Sequence, residues 1–164
     1  AIRQGVDVRL VLVDRVGSPD EAKARRLIDR LGIAEHVNWL MPENPEGYTW
    51  REVVELYRSS DLVVDEFGGC LGLVALEGAS CGRPVLNWLD SKGVEDVVES
   101  LYPDGHPLLQ AESVDKVCDV IVSIADQGLR TSIGRASRQW VLDHHERSMV
   151  ALRCEAMLKD LLGD

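Results

Sequence analysis

The sequence predicts an α/β fold: a doubly wound, mainly parallel sheet of the Rossmann type, extended by extra C-terminal helices. Three observations carry that prediction. Short apolar runs alternate with segments of helical periodicity, the run Asp7–Asp14 (DVRLVLVD) is continuously apolar at its LVLV centre, and almost everything beyond Lys92 repeats at helical spacing. Strands separated by helices imply βαβ units and parallel pairing. A continuous apolar run suits a strand buried on both faces by covering helices.

The elements follow in order. Asp7–Asp14 is the first strand, and a helix start comes next: Ser18 as cap, Pro19 at the first helical position and Glu21 completing a capping box. Ala24, Leu27, Ile28 and Leu31 recur at helical spacing, and Gly32 stops the helix. Val37–Met41 is the second strand; Trp50, Val53, Val54 and Tyr57 form the buried stripe of the next helix. Asp61–Asp65 (DLVVD) is a third strand, followed by the glycine-rich run from Phe67 to Gly72. A helix from about Leu73 to Cys81 closes at Gly82, and Pro84–Trp88 is the fourth strand. Ser113 then caps a helix with Val114, Val117, Ile121 and Ile124 on one face. Ile133, Ala136, Trp140 and Val141 mark another helix, and Val150, Cys154, Met157, Leu158 and Leu161 a last one. Such stripes are usually core. With no repeat, low-complexity stretch or linker, residues 1–164 read as one domain with a single core.

Composition narrows the function. Lys and Arg total 18 against 28 Asp and Glu, a formal net charge of −10. A field of that sign opposes broad binding to nucleic acid or anionic lipid, so a phosphate ligand must be held locally by backbone N–H groups or a few placed cations. No apolar run approaches the ~18 residues of a membrane span. Arg3 and Asp7 interrupt the apolar stretch near the start, which argues against signal-peptide architecture in these residues, and the widely spaced cysteines fit reduced thiols in a cytoplasmic protein. Cys70, Cys81, Cys118 and Cys154 are widely spaced and read as reduced, inward-facing thiols. They and the four histidines do not cluster as zinc ligands, and no metal is expected. The pair His144-His145 reads as a solvated helix end.

Ligands of open α/β sheets bind beyond the carboxyl ends of the strands, here the loops after Asp14, Met41, Asp65 and Trp88. The third is the most informative: Asp65–Val85 runs strand, glycine-rich turn, helix, Gly, Pro, strand. Gly68, Gly69 and Gly72 permit close backbone approach, and the helix that follows presents unpaired N–H groups and its positive dipole end, a phosphate cradle that needs no lysine. Glu77 lies a turn and a half inside that helix, where its carboxylate can accept hydrogen bonds from vicinal hydroxyls. A tight turn followed by a surface glutamate is the competing reading of the same residues. The pattern is neither a Walker A loop, since no G-K-[ST] follows, nor G-x-G-x-x-G.

These residues closely resemble the donor-binding core of retaining GT-B glycosyltransferases (family 4, glycosyltransferases group 1). That family's pattern is E-G-F-G-L-x-x-x-E followed by A-x-x-C/S-G-x-P-V; this chain reads G-C-L-G-L-V-A-L-E from Gly69 to Glu77, then G-A-S-C-G-R-P-V to Val85. RLVLVDRVGSP, LGIAEHVNWL, ELYRSSDLVVDEF and SIGRASRQWVLDHHE extend the resemblance, more weakly, over nearly the whole chain. By this resemblance Glu77 holds the ribose hydroxyls of a nucleotide sugar. Gly72 and Leu73 supply amides to the diphosphate or the sugar, with Gly69, Cys70 and Leu71 forming the turn before them. Leu40 and Met41 fall where the family's main chain reads the nucleobase.

Two departures stand out. The family's first glutamate, which holds the transferred sugar, falls at Gly69. Asp65-Glu66 resembles a D-Q variant of the loop, so Glu66 either stands in as that carboxylate or is a solvated loop charge. The chain also begins after the family's first C-domain strand and its Arg/Lys pair, so it is expected to be part of a larger enzyme whose N-terminal domain binds the acceptor. The resemblance thus implies a UDP-, GDP- or ADP-sugar as donor substrate and no further cofactor. It implies the N-terminal domain as partner, and membrane association only through that domain. A different class of reading is a non-catalytic GT-B-like module that binds nucleotide or a protein. A receiver-like domain using Asp14 and Asp65 fits poorly, because the long helical tail has no role in it.

Overall fold

The computed structural model describes residues 1–13, 19–44, 46–89 and 92–163. Asp14 and Ser18, to which the sequence assigns a strand end and a helix cap, lie outside the described residues. The chain forms an α/β structure of two compact units, Ala1–Val53 and Val54–Asp164, and every strand pairing described in either is parallel.

In the first unit, β1 (Leu10–Val13) pairs with β2 (Val37–Leu40) in the register Leu10↔Val37 to Val13↔Leu40. Between them run α1 (Glu21–Leu31) and a short 3₁₀ turn at Ala34–His36, whose His36 Nδ1 lies 3.2 Å from the Val8 carbonyl oxygen. Helix α1 starts later than the sequence reading has it. Pro19 and Asp20 form a turn, the Asp20 carbonyl accepts the first amides, and Glu21 Oε1 accepts a 2.7 Å hydrogen bond from Arg25 Nε. Gly32 ends the helix at φ +64, as its position implies. The expectation that β1 is buried on both faces fails: Leu10, Val11 and Val13 are exposed. No described residue of this unit is fully buried, so its apolar run has no closed core around it.

The second unit holds the core. Helix α2 (Trp50–Ser59) leads in from the first unit, then β3 (Val63–Val64), α3 (Leu73–Ser80), β4 (Val85–Asn87), α4 (Lys92–Leu101) and β5 (Leu109–Gln110) follow. The sheet order is β3-β4-β5. Helices α5 (Val114–Ser123), α6 (Gln127–His145) and α7 (Arg147–Leu162) complete the unit. Val63, Ala75, Ala79, Val85, Leu89, Val98, Tyr102, Leu108 and Trp140 make the core cluster. Helix α3 consists largely of small residues because it packs tightly on β3, β4 and α6. A Cβ at Gly78 would stand 2.9 Å from Val63, and one at Gly134 only 2.2 Å from the Gly82 carbonyl oxygen. Gly82 itself, just past α3, adopts φ +73.

The caps of the later helices are side chains, as the sequence indicates for Ser113, which accepts from the Lys116 amide; Asp126 and Glu146 cap α6 and α7 in the same way. The apolar stripes are less buried than their periodicity implies. Trp50 is 61% exposed, Val114 84% and Leu161 80%, and Cys154, Met157 and Leu158 are exposed with it. Periodicity marks which side of a helix is apolar, whereas burial needs a partner surface, and α7 meets only α6 extensively. Cys70 and Cys154 are exposed, contrary to the inward reading, while Cys81 and Cys118 are half-buried. His144 and His145 are not a solvated end either. Both are half-buried against Tyr102 and Trp140, with Tyr102 Oη 2.9 Å from His145 Nε2 and Arg153 2.6 Å from His144 Nδ1.

Candidate functional site

The glycine-rich turn lies between the carboxyl end of β3 and the amino end of α3. Hydrogen bonds from the Asp65 amide to the Leu86 carbonyl (2.9 Å) and from the Trp88 amide to the Glu66 carbonyl (3.3 Å) hold its start against β4. Gly69 is buried at φ +82, a conformation that a side chain would strain. The chain then turns back so that the Gly72 amide donates a 2.9 Å hydrogen bond to Asp65 Oδ2. A Cβ at Gly72 would lie 2.5 Å from Asp65 Oδ1, so a side chain there would push the carboxylate off this hydrogen bond. Burial raises the Asp65 carboxyl above its ordinary value, the Gly72 hydrogen bond opposes this, and the charge of Glu66 adds to the rise.

Helix α3 begins immediately beyond, with Gly72 as an extended N-cap residue and no side chain capping it. Leu73 is 74% exposed, and Val74 is exposed beside it. This uncapped start, with its partial positive charge, is the feature an anionic group can use. Further in, Glu77 is half-buried and its Oε2 accepts a 2.7 Å hydrogen bond from the Tyr57 hydroxyl on α2. Burial, then the bond to Glu77 and the Glu77 charge, push the Tyr57 hydroxyl well above its usual range, so it stays a donor. One carboxylate oxygen of Glu77 is thus held by Tyr57.

The structure gathers Gly69, Cys70, Leu71, Gly72, Leu73 and Glu77 on this one turn and helix. Glu66 is exposed in the same turn, its carboxylate near Gly68, where a Cβ would lie 3.7 Å from Oε2. Leu40 and Met41 belong to the first unit, at the carboxyl end of β2. Two participants go unrecognised in the sequence reading. Tyr57 reads from the sequence only as part of an apolar stripe, although a tyrosine at a buried position normally needs a partner for its hydroxyl. Asp65 stands in the sequence as a strand end and as part of the Asp65-Glu66 loop variant, and neither reading includes the hydrogen bond it accepts from Gly72. Among the described residues no group of three or more His, Cys, Asp or Glu is placed to hold a metal ion, and no helix is long and apolar enough to cross a membrane.

Comparison with known proteins shows the family and the fold. No protein-family model matches the chain. The D-inositol 3-phosphate glycosyltransferase of Salinispora tropica is 31% identical over 140 residues, 82% of this chain and 26% of that protein. The enzyme of the same name from Mycolicibacterium smegmatis is 35% identical over 99 residues, 57% of this chain and 22% of that protein. The chain therefore spans only about a quarter of the length of these relatives. Among solved structures, Anabaena HepE in complex with UDP and glucose superposes with a TM-score of 0.67 at 20% identity, over 93% of this chain and 41% of that one. Sucrose-phosphate synthase from Thermosynechococcus elongatus gives 0.64 at 22% identity, over 94% of this chain and 39% of that one. By that sequence relationship and that shared architecture, the chain is a homologue of glycosyltransferases and carries their GT-B-type α/β fold.

Proposed function

We propose that this chain is the nucleotide-sugar-binding part of a retaining glycosyltransferase, with the acceptor bound by a domain outside it. The observation that carries this reading is the pairing of an uncapped helix start at Leu73–Val74 with a carboxylate at Glu77 that Tyr57 holds in place. A diphosphate at the helix start would accept from the Leu73 and Val74 amides, because the Gly72 amide is already engaged by Asp65. Glu77 would accept from the two ribose hydroxyls through its free oxygen. As the glycosyl–phosphate bond lengthens, negative charge grows on the leaving diphosphate, and fixed N–H donors stabilise it; loss of one such donor typically costs about 3 kcal/mol in the barrier. In this reading the departing phosphate itself takes the acceptor's proton, as the resemblance to retaining GT-B glycosyltransferases implies. HepE, of the same fold, has been solved with UDP-glucose, which favours a nucleotide sugar here as well.

A second reading, a non-catalytic module of the same fold, draws on Gly69 standing where a sugar-binding carboxylate would be and on Asp65 occupying the Gly72 amide. Titration of UDP, GDP and ADP against the chain, followed by ligand-observed NMR, tests the nucleotide site, and turnover of a nucleotide sugar by the whole enzyme, strongly depressed by Glu77→Ala, separates the two readings. The donor-binding reading expects one nucleotide to bind at millimolar concentration or better and Glu77→Ala to abolish the effect. Binding of none, or undiminished binding by the Glu77→Ala protein, favours the non-catalytic module.

A further inference from the structure

At the opposite end of α3 lies a second feature. A groove of about 360 Å³ runs between the turn Cys81–Pro84 and helix α6, and four arginines line it: Arg83, Arg130, Arg135 and Arg138. In a chain of net charge −10, four guanidinium groups on one groove with a single carboxylate, Asp61, require an explanation.

Part of it is structural. Arg83 donates to the Arg58 carbonyl near the end of α2, Arg138 to the Ser80 carbonyl ending α3, and Arg130 to the Ile124 carbonyl just past α5 at 2.8 Å. Three helix carboxyl ends converge here, and each receives an arginine, as the sign of the helix dipole favours. Arg130 is also paired with Asp61 at 3.1 Å. These bonds fix the guanidinium groups without cancelling their charge. Each helix end carries about half a negative charge, so with Asp61 counted the groove retains roughly one and a half positive charges.

Two observations point beyond capping. Arg83 Nε is buried and has no hydrogen-bond partner among the described residues, although a buried unpaired donor is costly. Arg135 lines the groove and makes no hydrogen bond or ion pair with any described residue, so no helix end accounts for it. Gln127 and Thr131 add neutral polar groups to the same wall. The contact of Gly134 with the Gly82 backbone sets the groove's width, because no side chain separates α6 from the turn there.

We propose that this groove binds a single phosphoryl group, as a phosphate monoester carrying one to two negative charges. The residual charge matches one such group and is too small for a polyanion. Prefixed guanidinium forks suit its oxygens, and Arg135 is the residue left free to close on it. The site lies on the far side of α3 from the glycine turn and is independent of nucleotide binding there.

The test uses the full chain and the Arg135→Gln variant, which removes no helix cap and should keep its unfolding midpoint. Inorganic phosphate is titrated while backbone amide shifts are followed by NMR. Saturable shifts at Gly82, Arg83, Thr131 and residue 135, weakened at least about fivefold by Arg135→Gln, support the site. Shifts confined to Leu73 and Val74, or equal affinity in the variant, overturn it. A hexose 6-phosphate and vesicles containing phosphatidic acid then distinguish the source. Arg135-dependent binding of the first marks a free metabolite, and Arg135-dependent sedimentation with the second marks a lipid headgroup. Failure of both overturns the phosphate-monoester assignment.

Discussion

The hydroxyl of Tyr57 and the carboxylate of Glu77 stand 2.7 Å apart, joining the end of α2 to the middle of α3. The bond has consequences on both sides. Together with burial, the larger cause, it keeps the tyrosine protonated far into alkali, and it holds one glutamate oxygen in a set direction. Loss of the hydroxyl in Tyr57→Phe should lower stability by about 1 kcal/mol, because the carboxylate is only half-buried and water replaces part of the bond. Nucleotide affinity should fall severalfold with it, through looser positioning of Glu77. Chemical denaturation and nucleotide titration of the same variant check both.

Alkaline titration provides an independent reading. Burial raises the hydroxyls of both Tyr57 and Tyr102 above the ordinary tyrosine value of about 10. A raised value in the folded state stabilises the fold fully below the unfolded value, and that contribution is lost as pH rises beyond it. Two tyrosines should therefore resist ionisation until the protein unfolds, and Tyr57→Phe should remove one of them from the ultraviolet difference spectrum.

The histidines predict the opposite slope in acid. Burial holds His106 below its usual value, and burial with the charges of His144 and Arg153 does the same for His145. A depressed value stabilises the fold above the unfolded value near 6.5 and is lost as pH falls. Stability should decline from pH 7 towards pH 5, and His145→Gln should flatten that decline while His106 retains its share. Denaturation midpoints across this range measure it.

The glycines differ in what a methyl group would strike. At Gly134 the obstacle is the Gly82 backbone, which cannot swing aside, so Gly134→Ala should cost about 3 kcal/mol or more. At Gly72 the obstacle is the end of the Asp65 side chain, which can rotate away at the expense of its hydrogen bond. Gly72→Ala should cost nearer 1 kcal/mol in stability and disturb nucleotide binding more than folding. Comparison of unfolding free energies ranks the two.

Asp65 also sets a charge against any phosphate at the start of α3. Asp65→Asn keeps an acceptor for the Gly72 amide and removes the negative charge, so diphosphate affinity should rise several-fold. Isothermal titration with the three nucleoside diphosphates checks the direction.

The alternation of strands and helices was legible because apolar run length and glycine stops are local properties: Gly32 and Gly82 end their helices where the sequence marks them. Strand β5 was not legible. Leu109 and Gln110 are too few to show a period, and what makes them a strand is pairing with Leu86 and Asn87, distant in the chain. There Gln110 Nε2 donates to the buried Asn87 Oδ1 at 2.6 Å. The glycine turn and Glu77 were readable as a motif, because their spacing is local. The part played by Tyr57 is a tertiary contact across 20 residues, which spacing does not encode. The late helices are less buried than their periodicity implies for the same reason: α7 carries an apolar stripe, but no described element covers most of it.

Crystals of the chain soaked with the nucleoside diphosphate that binds best test the central claim most directly. The account predicts phosphate oxygens against the Leu73 and Val74 amides and the ribose hydroxyls on Glu77, with Tyr57 still bonded to its other oxygen. A nucleotide seated elsewhere, with the start of α3 facing only solvent and Glu77 making no contact to it, would contradict the account.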